Sequence, residues 1–253
     1  RPERKPPGPF GGASRQDIKT GGPTGMWLDN GMDLVEKQIP PPTPEENEQA
    51  LLSGAQRSIH LGWCEIQNAG SYLPQLELMQ KLYGEGKIKL RIYNAVYGPG
   101  EAAEKILHDG PILDAYRHHF TTRTIKVIFD GSLGSRSAAL LQPYSDADTS
   151  GFLAQKEADL RPMFEEALRR GIQVETHAIG DRANREILDL YAEAFQVVPP
   201  NDRKVKEPRW RIEHAQILDP SDIPRFAKLG VIASMQPSHA ISDLFFAPSR
   251  LGE

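Results

Sequence analysis

Val174-Glu175-Thr176-His177 and, after one helical stretch and one loop, Trp210-Arg211-Ile212-Glu213-His214 each read as a short strand ending in a histidine. With a helix between them the two strands run parallel, so the imidazoles arrive together at the C-terminal ends of neighbouring strands. In a βα barrel catalytic groups gather at that end. Two neutral imidazoles converging there are a good start on a metal site. A third run, Thr124-Ile125-Lys126-Val127-Ile128-Phe129-Asp130, places a lysine in mid-strand. Successive side chains alternate faces, so Ile125, Val127 and Phe129 share one side and Lys126, Ile128 and Asp130 the other. With the apolar side against helices, Lys126 points into the barrel. A buried ammonium is costly unless it is paired or chemically changed, so this lysine calls for a chemical reason.

The bulk properties narrow the field by exclusion. The 253 residues suffice for one α/β domain with a sizeable core. Apolar content of 39% and charged content of 25% are those of a soluble globular protein. A net charge of −4 offers no electrostatic case for nucleic acid or an anionic membrane. No apolar stretch is long enough to cross a bilayer, and no signal peptide opens the chain, so a cytoplasmic location is the expectation. The single Cys64 excludes an internal disulfide and reads as a small buried hydrophobe. The expected partner is a small-molecule substrate, with homo-oligomer formation left open.

Residues 1–42 are rich in Pro and Gly, as in Lys5-Pro6-Pro7-Gly8-Pro9-Phe10-Gly11-Gly12 and Gly21-Gly22-Pro23-Thr24-Gly25, and read as an irregular insertion of turns and loops. They lack the Gly-Lys-Ser/Thr of a phosphate-binding loop. From Thr43 the pattern sharpens. Thr43-Pro44-Glu45-Glu46 is a capping box with proline at the first helical position, and Leu51, Leu52, Ala55 and Ile59 follow as an apolar stripe. Strands are expected at 63–67, 88–95, 124–129, 172–177, 210–214 and 231–235, with helices at 73–83, 100–107, 156–169, 181–196 and 221–229. Gly84, Gly171 and Gly230 sit where helices should stop. Strands interleaved with helices make residues 43–253 an α/β domain with a parallel sheet.

Four motifs then occur in order. Lys126-Val127-Ile128-Phe129-Asp130-Gly131-Ser132-Leu133-Gly134-Ser135-Arg136, followed by Pro143-Tyr144-Ser145-Asp146, resembles the fourth-strand signature of one amidohydrolase branch, that of the N-substituted formamide deformylases (amidohydrolase family 3). His177-Ala178-Ile179-Gly180-Asp181-Arg182-Ala183 is similar to its fifth-strand motif, Arg211-Ile212-Glu213-His214-Ala215 to its sixth, and Met235-Gln236-Pro237-Ser238-His239 to its seventh. Pro23-Thr24-Gly25 and Pro40-Pro41-Pro42-Thr43 resemble the segment such proteins insert before strand two. The resemblance spans nearly the whole chain.

It implies a (β/α)8 TIM barrel with a small β-sandwich, and a hydrolase of carbon–nitrogen bonds that uses one or two divalent ions, zinc by ligand type. Ligands would come from a His-x-His on strand one, a carboxylated lysine on strand four (Lys126), and histidines on strands five and six (His177, His214). An aspartate after strand eight would accept a proton. Carboxylation would turn the costly ammonium into an anionic ligand. None of the seven histidines forms a His-x-His, and no strand-eight segment follows His239. The chain therefore reads as barrel strands two to seven, a fragment without strands one and eight or the sandwich, and inactive by itself. Strand two carries Gln67 and Asn68 where relatives commonly have His and Asp. That keeps two other readings open: a metal-free binding protein on the same barrel, and a deaminase or phosphoester hydrolase, since a fold fixes no substrate.

Asp130, Arg136, Asp181 and His239 are the substrate-binding candidates, each with a plainer alternative. Asp181 precedes a helix and suits an N-cap, and Arg136 suits a loop salt bridge. His239 lies just beyond a strand end, placed for substrate contact or proton transfer. Arg117-His118-His119-Phe120 reads as a solvated helix end. Arg211 and Glu213 pose a difficulty, because alternation puts them on the face opposite His214, where apolar side chains belong, and a mutual ion pair is the one account of them.

Overall fold

Six parallel strands lie across one sheet in the order in which they occur in the chain. The computed structural model describes residues 12–17 and 19–252. The strands are β1 (Gly12–Gln16), β2 (Pro23–Asp29), β3 (Glu65–Asn68), β4 (Arg91–Tyr97), β5 (Ile112–Asp114), β6 (Phe120–Ile128), β7 (Gln173–Ala178), β8 (Arg211–His214) and β9 (Ile232–Ser234). The helices are α1 (Asp33–Glu36), α2 (Pro44–His60), α3 (Leu73–Gly84), α4 (Glu101–Asp109), α5 (Ala115–His118), α6 (Glu157–Arg170), α7 (Asp181–Val197), α8 (Ile223–Leu229), α9 (His239–Ser242) and α10 (Ala247–Leu251). The sheet order is β3-β4-β6-β7-β8-β9, every pair parallel, with the short β5 antiparallel to β6. A doubly wound sheet reverses its strand order at a switch point. Here no reversal occurs, and neighbouring helices touch in series, α3 with α4, α6 with α7 and α7 with α8. Helices on one side of a singly wound parallel sheet make an arc of a TIM barrel, open among the described residues at β3 and β9.

The two faces differ as strand alternation requires. Ile125, Val127, Phe129, Val174 and Ile212 are fully buried against the helices, packed with Leu76, Ile106, Phe164, Ile187 and Tyr191. Trp210 anchors this layer, its Nε1 donating to the Ile172 carbonyl at 3.1 Å and its ring lying among Phe164, Tyr191 and Phe195. The opposite face carries Lys126, Ile128, Gln173, Glu175, His177, Arg211 and Glu213, and Ile128 is exposed there.

Local signals hold where they rest on backbone geometry. Thr43 Oγ1 accepts from the Glu46 N–H and Glu46 accepts from the Thr43 N–H, the reciprocal cap of α2. Gly171 and Gly230 take left-handed conformations that end α6 and α8. Gly84 stays inside α3, and Gly86 instead supplies the left-handed turn beyond it. The Pro/Gly-rich front contains the antiparallel pair β1–β2, closed by a turn in which Asp17 Oδ1 accepts from Lys19 and Thr20 N–H groups. Turn formers and strands coexist there because the pair is short and its strands lack a periodic apolar face. The Lys5–Gly11 part of that run lies outside the described residues. Arg117 and His118 belong not to a helix end but to a left-handed turn, while Phe120 is buried and opens β6 four residues earlier than expected. Cys64 is exposed, not buried, because β3 is an edge strand with one neighbour. No described helix is long and apolar enough to cross a membrane.

Open edges have a consequence. Unpaired N–H and C=O groups along β3 and β9, beside exposed Trp63 and Met235, template further pairing. Residues 1–253 expressed alone should associate with rising concentration in sedimentation velocity. A monomer at all concentrations would show that the edges are self-protected.

Candidate metal centre

β7 and β8 pair in parallel with His177 opposite Glu213 and Ala178 opposite His214. Continued alternation would send His214 to the helix side with Ile212. Instead His214 has φ 75° and Ala215 φ 42°, both left-handed. Such values are uncommon outside glycine, and His tolerates them better than most. The turn ends the strand and swings His214 towards His177. The two rings meet edge to face with centroids 4.5 Å apart. This removes the difficulty with Arg211 and Glu213, which face the barrel interior as alternation demands, while His214 breaks the rule.

Each imidazole spends one nitrogen on a carbonyl oxygen. His177 Nε2 lies 3.1 Å from the Gly131 carbonyl and 3.3 Å from Asp130 Oδ1, and His214 Nδ1 lies 2.9 Å from Gln236 Oε1. Carbonyls only accept, so these nitrogens carry the protons, leaving His177 Nδ1 and His214 Nε2 with lone pairs. An imidazole fixed through one nitrogen to a carbonyl and open at the other is how proteins prepare a histidine ligand. Burial, reinforced by His177 and Lys126, lowers His214 to about 4, so it is neutral and able to ligate near pH 7. His239 continues the row, its ring centroid 5.6 Å from that of His214 and its Nδ1 3.2 Å from Asp243 Oδ2.

Lys126 lies opposite Glu175, while Ile128 lies opposite His177, so the lysine sits one inward row, about 6–7 Å, below the imidazoles. It is buried, and desolvation lowers its pKa although Glu175 and Glu213 oppose the shift. Among the described residues no hydrogen bond or ion pair engages its Nζ. Glu175 is fully buried beside it. Burial raises the pKa of that carboxyl despite Arg211, and its Oε2 accepts from Gln67 Nε2 at 2.6 Å and from Arg211. Arg211 also reaches Glu213 at 2.5 Å, and Ser234 donates to Glu213 at 2.7 Å. Among the described residues Glu175 Oε1 has no hydrogen-bond partner. Of this charged row the sequence reading held Arg211 and Glu213 as an ion pair and missed Glu175. Its signal was available in the two-residue spacing of Glu175 to His177 and of Arg211 to Glu213, which shares a strand face.

The other candidates go elsewhere. Asp130 is buried, and its carboxylate is taken up by backbone amides. Its Oδ1 accepts from Ile179 N–H, and its Oδ2 from Ala139 and Gly180 N–H, all within 2.9–3.0 Å. It therefore ties the loop after β6 to the turn after β7. Gly180 permits that approach, since a Cβ there would strike the Ala139 backbone. Asp181 is the first residue of α7, with Gly180 at the cap position, and its Oδ1 accepts from the Leu141 N–H at 2.9 Å. Arg136 is clamped bidentately on Asp146 at 2.7 Å through both Nε and Nη2, an ion pair that Arg250 joins. Gln67 is bound to Glu175, and Asn68 donates to Asn94 at 2.7 Å.

Among the described residues no group of three or more His, Cys, Asp and Glu side chains is arranged to hold a metal. The donor set present is two prepared imidazoles with a buried, unpaired lysine amine beneath them. That set fits part of a metal centre.

The amidohydrolase family profile matches residues 2–253. The chain belongs to the amidohydrolase family. It is 31% identical over 257 residues to Protein LONG AFTER FAR-RED 3 of Arabidopsis thaliana, spanning 96% of this chain and 42% of that protein. It is 29% identical over 264 residues to the putative amidohydrolase YtcJ of Bacillus subtilis (strain 168), spanning 99% and 46%. Among solved structures, an uncharacterized metal-dependent hydrolase from Pyrococcus furiosus superimposes with a TM-score of 0.71 at 26% identity, over 88% of this chain and 44% of that one. A second, from Pyrococcus horikoshii OT3, gives 0.69 at 27%, over 88% and 43%. This amidohydrolase chain thus spans less than half the length of the relatives it matches.

Two outcomes follow. Asp130→Ala leaves three buried N–H groups without an acceptor and should cost about 3–5 kcal/mol in denaturant unfolding of the full-length protein. A loss within experimental error would mean the loop has other anchors. Arg136 holds the Asp146 carboxyl down at about 2, below its usual 3.8. A depressed carboxyl gives stability present above the unfolded value and lost as pH falls through the folded one. Stability should therefore drop between about pH 4 and 2, less steeply in Asp146→Asn.

Proposed function

We propose that in the full-length amidohydrolase this chain supplies Lys126, His177 and His214 to a centre of one or two divalent ions, zinc by ligand type, and that the enzyme hydrolyses an amide- or formamide-like carbon–nitrogen bond. The observation that carries the reading is the meeting of His177 and His214 at two adjacent strand ends, each with one nitrogen tied to a carbonyl and one free. When bound, the metal supplies Lewis acidity towards a water and the scissile carbonyl.

The chain's own residues prepare that chemistry. Gln236 orients His214, and the Gly131 carbonyl with Asp130 orients His177. Desolvation moves Lys126 towards the neutral amine, the form whose nitrogen would add to carbon dioxide, forming an N–C bond and releasing one proton to solvent, to give a carbamate. The carbamate would place an anionic oxygen ligand beneath the histidines, where desolvation disfavours an ammonium. His239, beside His214 and oriented by Asp243, is placed to contact substrate or move a proton.

The full-length protein should bind metal stoichiometrically by elemental analysis, and His177→Ala should lose most of it. Gln236→Leu, which frees the His214 ring, should weaken affinity by roughly 10–100-fold. Undiminished metal in folded His177→Ala would remove the assignment. Separately, Lys126→Ala should abolish turnover, and short carboxylic acids should restore part of it. Intact turnover would make the lysine purely structural.

A further inference from the structure

Val96 of β4 lies opposite Ile125 of β6, both fully buried on the helix side, so Tyr97, the last residue of β4, turns to the barrel interior opposite Lys126. Its ring packs on Tyr72 with centroids 4.8 Å apart and lies so close over Gly70 that a Cβ there would strike it. Gly70 lies beyond the C-terminal end of β3, so the ring leans towards the mouth, the side on which His177 and His214 lie. Below it Gln67 Nε2 crosses the interior to Glu175 at 2.6 Å and closes a floor one inward row under His177. The other buried and half-buried tyrosines spend their hydroxyls: Tyr83 on the Leu90 carbonyl, Tyr93 on Gln173, Tyr144 on the Ala138 carbonyl and Tyr191 with Thr176. Among the described residues no hydrogen bond engages the hydroxyl of Tyr97. Burial raises its pKa, so near neutral pH it keeps its proton and stands as an uncharged donor.

We infer that Tyr97 is a catalytic residue of the proposed hydrolysis, its hydroxyl donating to the oxygen of the scissile carbonyl from the wall of the pore that faces His177 and His214. The inference rests on the proposed metal centre for the position of that carbonyl and adds a residue to the reaction. The Gln67–Glu175 bond shows that the sheet curves far enough for β3 and β7 to meet across the interior, and Tyr97 stands beside β3 on the same wall. When water adds to the carbonyl, its oxygen gains negative charge, and a donor already fixed in place strengthens with that charge. Tyr72 and Gly70 hold the ring, so the hydroxyl needs no reorganisation at that moment.

The test uses full-length wild-type and Tyr97→Phe protein, with metal content by elemental analysis and calorimetric titration of two probes. Methylphosphonate presents the tetrahedral, charged oxygens of the addition intermediate, whereas imidazole binds a metal ion but offers no oxygen acceptor. Phenylalanine keeps the ring on Gly70 and Tyr72 and removes only the hydroxyl, so the denaturation midpoint and metal content should be unchanged. Methylphosphonate should bind Tyr97→Phe about 10–100-fold more weakly, the range of a hydrogen bond to a charged group, and imidazole equally. Equal methylphosphonate affinity in the two proteins, or no methylphosphonate binding to the wild type, would overturn the inference. A marked loss of stability in Tyr97→Phe would overturn it too, because the hydroxyl would then be structural. Wild-type protein that lacks metal yet shows the methylphosphonate difference would count against the centre alone, so the two readings fail separately.

Discussion

Two-sidedness of the parallel sheet is the constraint on which the rest of this structure depends. Strand pairing from β4 to β8 keeps one face largely apolar, with Thr176 bonded to Tyr191 on it, and the helices pack there through Ile125, Val127, Val174 and Ile212. Once that face is committed to the core, every alternate residue is forced inward. Lys126, Glu175, His177, Arg211 and Glu213 therefore share one surface without any specific attraction having to assemble them. Their charges then settle among themselves, with Arg211 between two carboxylates and Gln67 closing the row. Burying such groups is stabilising only when the set is complete. Among the described residues Glu175 Oε1, without a hydrogen-bond partner, marks where it is not.

The exception to alternation is as informative as the rule. His214 leaves the strand in a left-handed conformation, and only this brings its ring to His177. Backbone strain of this kind costs of order 1–3 kcal/mol and persists where surrounding structure imposes it. Here the Gln236 contact and the packed turn at Ala215 impose it. The strain lies at the site where the chemistry is proposed, whereas the strands that support it are regular.

Asp130 shows how the loops were organised around the same site. A buried carboxylate with three backbone N–H donors fixes the turn after β7 against the loop after β6, and the same carboxylate backs His177. Residues whose chemistry suggests substrate contact are spent on architecture: Asp130 on amides, Arg136 on Asp146, Asp181 on Leu141. His239 alone among the four substrate candidates lines a cavity near the histidine pair. A type of side chain in a loop names a chemistry, but only its partners decide whether that chemistry is free.

The sequence by itself determined what depends on neighbours along the chain. The capping box at Thr43, the helix stops at Gly171 and Gly230, the βα alternation and the inward face of Lys126 are all set by interactions within a few residues, and all were legible. Left to the tertiary structure were the turn of His214 towards His177, the joining of Gln67 to Glu175 across 108 residues and the capture of Asp130 by amides up to 50 residues away. Local spacing records which face a side chain takes. It does not record which partner waits on that face, because the partner is chosen by the register of strands far apart in the chain.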